Sequence, residues 1–164
     1  QTIKKNPIAL YLCPQILRAM PLMQLHRTQN DYGFTATDSG GNNLSIDIPV
    51  EQGGDSKGFR PMQLLLAGLG GCSAVDVVSI LKKQKQQIKD FSIDIDGERE
   101  KGKEPSLWEE VQITFQLSGE VDPAKAHRAV ELSMNKYCSV AETLRKAGAA
   151  LKWKVVVNGV EVNL

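Results

Sequence analysis

Apolar and polar positions alternate in several short stretches of the chain, and each stretch reads as a strand with one face turned to a core. Met23, Leu25 and Arg27 alternate, as do Phe34 and Ala36, and then Leu44, Ile46 and Ile48. Gly40-Gly41-Asn42-Asn43 between the last two predicts a hairpin turn, because these residues tolerate the left-handed backbone that tight turns need. Glu51–Arg60 has three glycines and no aliphatic side chain, and reads as a loop. Further on, Phe91, Ile93 and Ile95 alternate with Ser92, Asp94 and Asp96. Val111, Ile113, Phe115 and Leu117 alternate with Gln112, Thr114 and Gln116, and the charged stretch Gly97–Pro105 is the expected connection. Asp122-Pro123 opens a helix as N-cap and first residue, running to about Lys136. Ser139-Val140-Ala141-Glu142 has the form of a capping box for another short helix, which Gly148 ends. Trp153, Val155 and Val157 form a last strand. The order of strands, long helix, strands, two helices and strand predicts an α+β fold with a mainly antiparallel sheet.

The long helix starts at Pro61, where a missing N–H costs nothing, and is expected to reach about Gln87. Its first five turns are apolar nearly all round, so it should be buried on most sides. Inside it lie Gly68, Gly70 and Gly71, each costing roughly 0.5–1 kcal/mol relative to alanine. Such a cluster admits another backbone at a distance that a Cβ would forbid. The simplest occupant is a second copy of the same helix across a two-fold axis; the other reading is a break in the helix near Gly70-Gly71.

Composition narrows the function. Of 164 residues, 41% are hydrophobic and 24% charged, as in an ordinary globular domain. Twenty basic and 19 acidic residues give a net charge of +1, without the basic excess that a nucleic-acid partner requires. Lys82, Lys83 and Lys85 sit where a helix C-terminus favours positive charge. No apolar run approaches the roughly 18 residues of a membrane span. Residues 1–20, with Lys4, Lys5 and the apolar Ile8–Leu12, read as a leader or extension, and 21–164 as one domain. Met20 or Met23 is a candidate start. Three cysteines, an odd number, argue against a secreted disulfide framework and for a reducing, cytoplasmic setting.

The default for each cysteine is a small buried hydrophobe, and Cys13 keeps it. Cys72 follows the glycine pair, with Asp76 one turn on along the same face. A carboxylate there would raise the thiol pKa, and the helix dipole is spent by that depth, so Cys72 alone reads as core. Cys138 directly precedes the Ser139 cap, beside free N–H groups that stabilise an anion. On local sequence it is the better nucleophile.

The segment Arg60–Lys83, RPMQLLLAGLGGCSAVDVVSILKK, resembles the signature of the OsmC-like family, which includes osmotically inducible protein C and the organic hydroperoxide resistance proteins. A second block, Lys136-Tyr137-Cys138-Ser139-Val140, stands at the matching place, and the resemblance covers roughly Met23 to Val157. It implies a swapped homodimer with two sheets wrapped around a pair of central helices. It further implies that Cys72 is the peroxidatic cysteine and Cys138 the resolving one. The partners would be a small-molecule hydroperoxide and a dithiol reductant. No metal or organic cofactor is required, and His26 and His127, isolated from each other, are expected at the surface.

The chain departs from the peroxidase pattern. Those members carry a glutamate just after the proline and an arginine from the N-terminal strands. Here Met62 and Gln63 follow Pro61, and the strands offer Arg27. Arg60 is a candidate replacement, serving Cys72 of the partner across the dimer. The alternative function is a non-catalytic dimer holding a small apolar ligand at the subunit interface.

Overall fold

In a computed structural model, residues 22–28 and 31–163 are described, so the proposed leader and Cys13 lie outside the described residues. The chain packs as two units that divide after Gly58. In the first, β1 (Met23–Arg27), β2 (Phe34–Asp38) and β3 (Asn43–Ile46) form an antiparallel meander, with Ala36 opposite Leu25 and Leu44. The predicted hairpin is built by Asp38, whose carboxylate accepts the N–H groups of Gly40 and Asn42, each at 2.8 Å. The predicted loop that follows is organised by buried Asp47, which accepts the N–H groups of Ile48, Asp55 and Lys57. A short 3-10 turn, Val50–Gln52, stands within it.

The second unit contains α1 (Pro61–Lys83), β4 (Gln87–Arg99), β5 (Trp108–Glu120), α2 (Pro123–Leu132), α3 (Ser139–Lys146), β6 (Ala150–Val157) and β7 (Val160–Glu161). The fold class is α+β, with the long helix packed on the sheet. Strand order is β4-β5-β6-β7, with β4–β5 and β6–β7 antiparallel and β5–β6 parallel. The parallel pair forces a crossover, and α2 and α3 are that crossover. The core lies between the inward rows of β5 (Val111, Ile113, Phe115, Leu117) and β6 (Val155, Val157) and the buried stripe Leu69, Val77 and Leu81 of α1. Full burial of such a side chain contributes roughly 1.5–3 kcal/mol, so this layer holds α1 in place.

The structure corrects several expectations about these elements. Helix α1 ends at Lys83, not near Gln87, because Lys85 takes the left-handed conformation (φ 57°) and Gln86 donates back to the Leu81 carbonyl. The helix is unbroken through Gly70-Gly71. Within the single chain it is buried on one stripe, with Leu65, Val75 and Val78 exposed, Val75 at 67%; the rest of the expected burial would have to come from a second copy. By length and composition α1 is also apolar enough to cross a membrane, against the expectation that no segment approaches this. Strands β4 and β5 run 13 residues each, and β4 absorbs the first residues of the predicted connection. Gly97 thereby falls inside β4, where an added Cβ would lie 2.7 Å from the Trp108 ring. Helix α2 stops at Leu132 and continues as a π-helical segment, Ser133–Tyr137.

Candidate active site

Helix α1 carries Cys72 on the border of its buried stripe. The glycines before it explain how closely the helix approaches its neighbours. A Cβ at Gly70 would meet Ile95 Cδ1 of β4 at 3.0 Å, and one at Gly68 would stand 4.0 Å from Val140 Cγ1 at the start of α3. Beyond Gly71 there is open space in the protomer. Gly70 alone of the three makes a tight contact within the chain, and Gly68 and Gly71 are both exposed and open to an approach from outside. Behind Cys72, the buried Ser73 hydroxyl donates to the Leu69 carbonyl at 2.7 Å.

Cys138 arrives from the other side. It is the N-cap of α3 in place of Ser139, with extended backbone (φ −70°, ψ 103°), and its Sγ accepts the Ala141 N–H at 3.4 Å. Its own N–H donates to the Ser133 carbonyl at 2.9 Å, the bond that closes the π-helical segment. Only 3% of the residue is exposed.

Cys72 and Cys138 are both free, and each thiol acts on the titration of the other. Burial pushes the Cys72 thiol up. The Cys138 thiol, the Val140 N–H, and the hydroxyl and N–H of Ser139 outweigh that effect and bring it below its ordinary value. Cys138 goes the other way: burial first, then its hydrogen bond to Cys72, push it up to about 11. This reverses the order read from local sequence. The first amides of α3 do stabilise a thiolate, but the sulfur they face is that of Cys72. Asp76 does not raise Cys72 as expected, because its carboxylate is turned toward the crossover, where Oδ2 accepts the Ser133 hydroxyl at 2.9 Å. The junction of α1 and α3 thus carries one thiol lowered from its ordinary value and one raised above it, each acting on the other.

The OsmC-like protein family matches residues 53–154, which include both cysteines and every element between them. The chain belongs to this family. Protein YhfA of Escherichia coli strain K12 is 40% identical over 101 residues, 61% of this chain and 75% of YhfA. A crystal structure of a hypothetical protein from Aquifex aeolicus VF5 is 33% identical, with a TM-score of 0.69 over 83% of this chain and 96% of that one. An organic hydroperoxide resistance protein OsmC from Legionella pneumophila shares the fold at 19% identity, with a TM-score of 0.63 over 85% and 100% of the two chains.

Within this OsmC-like chain, Arg60 is not brought to the cysteines. It is the exposed N-cap of α1, its N–H donating to Gln63 Oε1 at 3.0 Å, and Cys72 lies about 18 Å further along the axis at 1.5 Å per residue. Gln63, one of the departures from the peroxidase pattern, therefore caps the helix. Arg27 is paired with Asp31 at 3.9 Å in the first unit. His26 is exposed as expected, whereas His127 is half-buried, its ring 5.1 Å from that of Trp153. No cluster of metal-binding side chains occurs among the described residues. Sequence reasoning missed Ser139 and Val140 as donors to Cys72. The signal was present as the capping-box pattern, but which sulfur it serves is decided by packing.

Proposed function

We propose that this protein is a thiol-dependent hydroperoxide reductase acting in defence against peroxide stress, with Cys72 peroxidatic and Cys138 resolving. The reading is supported by the placement of two free cysteines at the junction of α1 and α3, where the groups around Cys72 favour its thiolate and burial keeps Cys138 protonated. A lowered Cys72 supplies the thiolate that attacks an O–O bond, and a Cys138 held up to about 11 stays a protonated donor until it is needed. In the first step an S–O bond forms on Cys72, the O–O bond breaks, and the departing alkoxide takes a proton to leave as alcohol. The Cys138 sulfur then attacks the sulfenic acid, forming the disulfide and releasing water. A small dithiol returns both thiols by exchange and becomes the oxidised partner. The chemistry needs no metal or organic cofactor.

The working form in this proposal is a soluble cytoplasmic homodimer joined along α1. The support is the row of apolar side chains left exposed on that helix, Leu65, Val75 and Val78, beside the open space over Gly71. In that assembly Arg60 of one protomer serves Cys72 of the other, since its own cysteine is out of reach. The same apolar face favours the second reading, a non-catalytic dimer with a small apolar ligand at the interface. Peroxide separates the two: reduction of an alkyl hydroperoxide with consumption of both thiols supports the enzyme. Unchanged thiol titres together with a co-purified apolar molecule support the binder.

A further inference from the structure

Asp76 and Ser133 lie on different elements, yet they are the polar link between the helix that carries Cys72 and the turn that carries Cys138. Asp76 is one turn beyond Cys72 on α1. Ser133 opens the π-helical segment and is fully buried. Its hydroxyl donates to Asp76 Oδ2 at 2.9 Å, and its carbonyl accepts the Cys138 N–H at 2.9 Å. One residue thus holds α1 with its side chain and Cys138 with its backbone. A buried hydroxyl is costly to leave without a partner, which fixes this pairing. The π-helical segment is the less common conformation, and its wider ring sets where Cys138 leaves the helix. Reverting to the ordinary helical bond would rotate Cys138 by one residue, about 100° around the axis, and carry its sulfur off Cys72.

We infer that Asp76 is a positioning residue for Cys138: through the Ser133 hydroxyl it locks the π-helical segment, and so sets the speed at which the Cys72–Cys138 disulfide closes. It touches no substrate, and it leaves the attack on peroxide to Cys72. The inference rests on the redox reading of the cysteine pair, but the closing step can be driven without peroxide. Diamide accepts two electrons and two protons from the thiols as the S–S bond forms, becoming the hydrazine.

The test compares the full-length wild type with Asp76→Ala, Asp76→Asn and Ser133→Ala, each oxidised in parallel with diamide and with cumene hydroperoxide. Closure of the Cys72–Cys138 bridge is followed by quenching and peptide mapping, and sulfenic acid by dimedone trapping. Asp76→Ala and Ser133→Ala should close about ten- to a hundredfold more slowly with either oxidant, the scale expected for a displaced reacting group, while peroxide leaves more trapped sulfenic acid. Asp76→Asn, whose amide oxygen still accepts from Ser133, should close within about threefold of wild type. A merely structural role would lower the melting temperature and leave the ratio of sulfenic acid to disulfide unchanged. Closure at wild-type speed in Ser133→Ala overturns the inference, even if Asp76→Ala fails to fold. A wild type that closes with diamide yet ignores peroxide sinks the peroxidase reading and leaves this inference standing.

Discussion

Cys138 Sγ accepts the Ala141 N–H at 3.4 Å, so a sulfur, and not the serine beside it, caps helix α3. This frees the Ser139 hydroxyl and the N–H groups of Ser139 and Val140 to face Cys72. The division of donors at one helix end is what separates the two thiols. Alkylation by iodoacetamide across a pH series should label Cys72 first, with a midpoint below that of the same thiol in the unfolded chain. Cys138→Ala and Ser139→Ala each remove a donor and should move that midpoint upward, read by mass spectrometry of the labelled peptides.

Stability should fall in alkali because of Cys138. Its folded pKa, about 11, lies above that of the unfolded thiol, so the fold favours the protonated form. That contribution is complete below the unfolded value and is lost as pH rises toward 11, on the order of 3 kcal/mol in all. Cys72 acts in the opposite sense and at lower pH: its share is in place above the unfolded value and is lost as pH falls through its folded one. Urea midpoints taken at about pH 8 and about pH 10.5 should differ in the wild type and much less in Cys138→Ala.

Val75 stands 67% exposed in the middle of an apolar helix. Val75→Glu places a charge on the proposed subunit contact and should shift the protein from dimer to monomer, measured by light scattering after size exclusion. A dimer that survives the change places the contact elsewhere.

Gly97→Ala should destabilise the sheet by about 1–3 kcal/mol, the usual cost of overpacking, because the new Cβ meets the buried Trp108 ring. Trp108 is fixed in turn by donating to the Met62 carbonyl at 3.3 Å. Chemical denaturation checks the value, and a smaller loss means that the ring can move aside.

Much of the fold was legible because period-two alternation on β4, β5 and β6 directly records one buried face. The hairpin at Gly40-Gly41 was legible for the same local reason. The end of α1 was not, since Lys85 takes a left-handed backbone that its side chain does not announce. The π-helical segment was hidden too: Ser133–Tyr137 carries no pattern distinct from an ordinary helix, and only the bonds from Ser133 to Asp76 and Cys138 reveal it. At the site, the resemblance named both cysteines as the pair, while local reasoning favoured Cys138 and did not anticipate the groups at the start of α3 that favour the Cys72 thiolate. The Cys72 thiol is lowered by that of Cys138 and then by groups at the start of α3, and Asp76 is drawn away from it by Ser133. Both effects act between elements distant in the chain, beyond the reach of spacing arguments.

In the proposed reaction Cys72 is the sulfur that peroxide oxidises. The direct measurement is dimedone trapping after cumene hydroperoxide treatment of Cys138→Ala, with peptide mapping of the adduct. One adduct at Cys72, lost in Cys72→Ser, is the predicted result. An adduct at another residue, or no consumption of peroxide by the wild type, would contradict it.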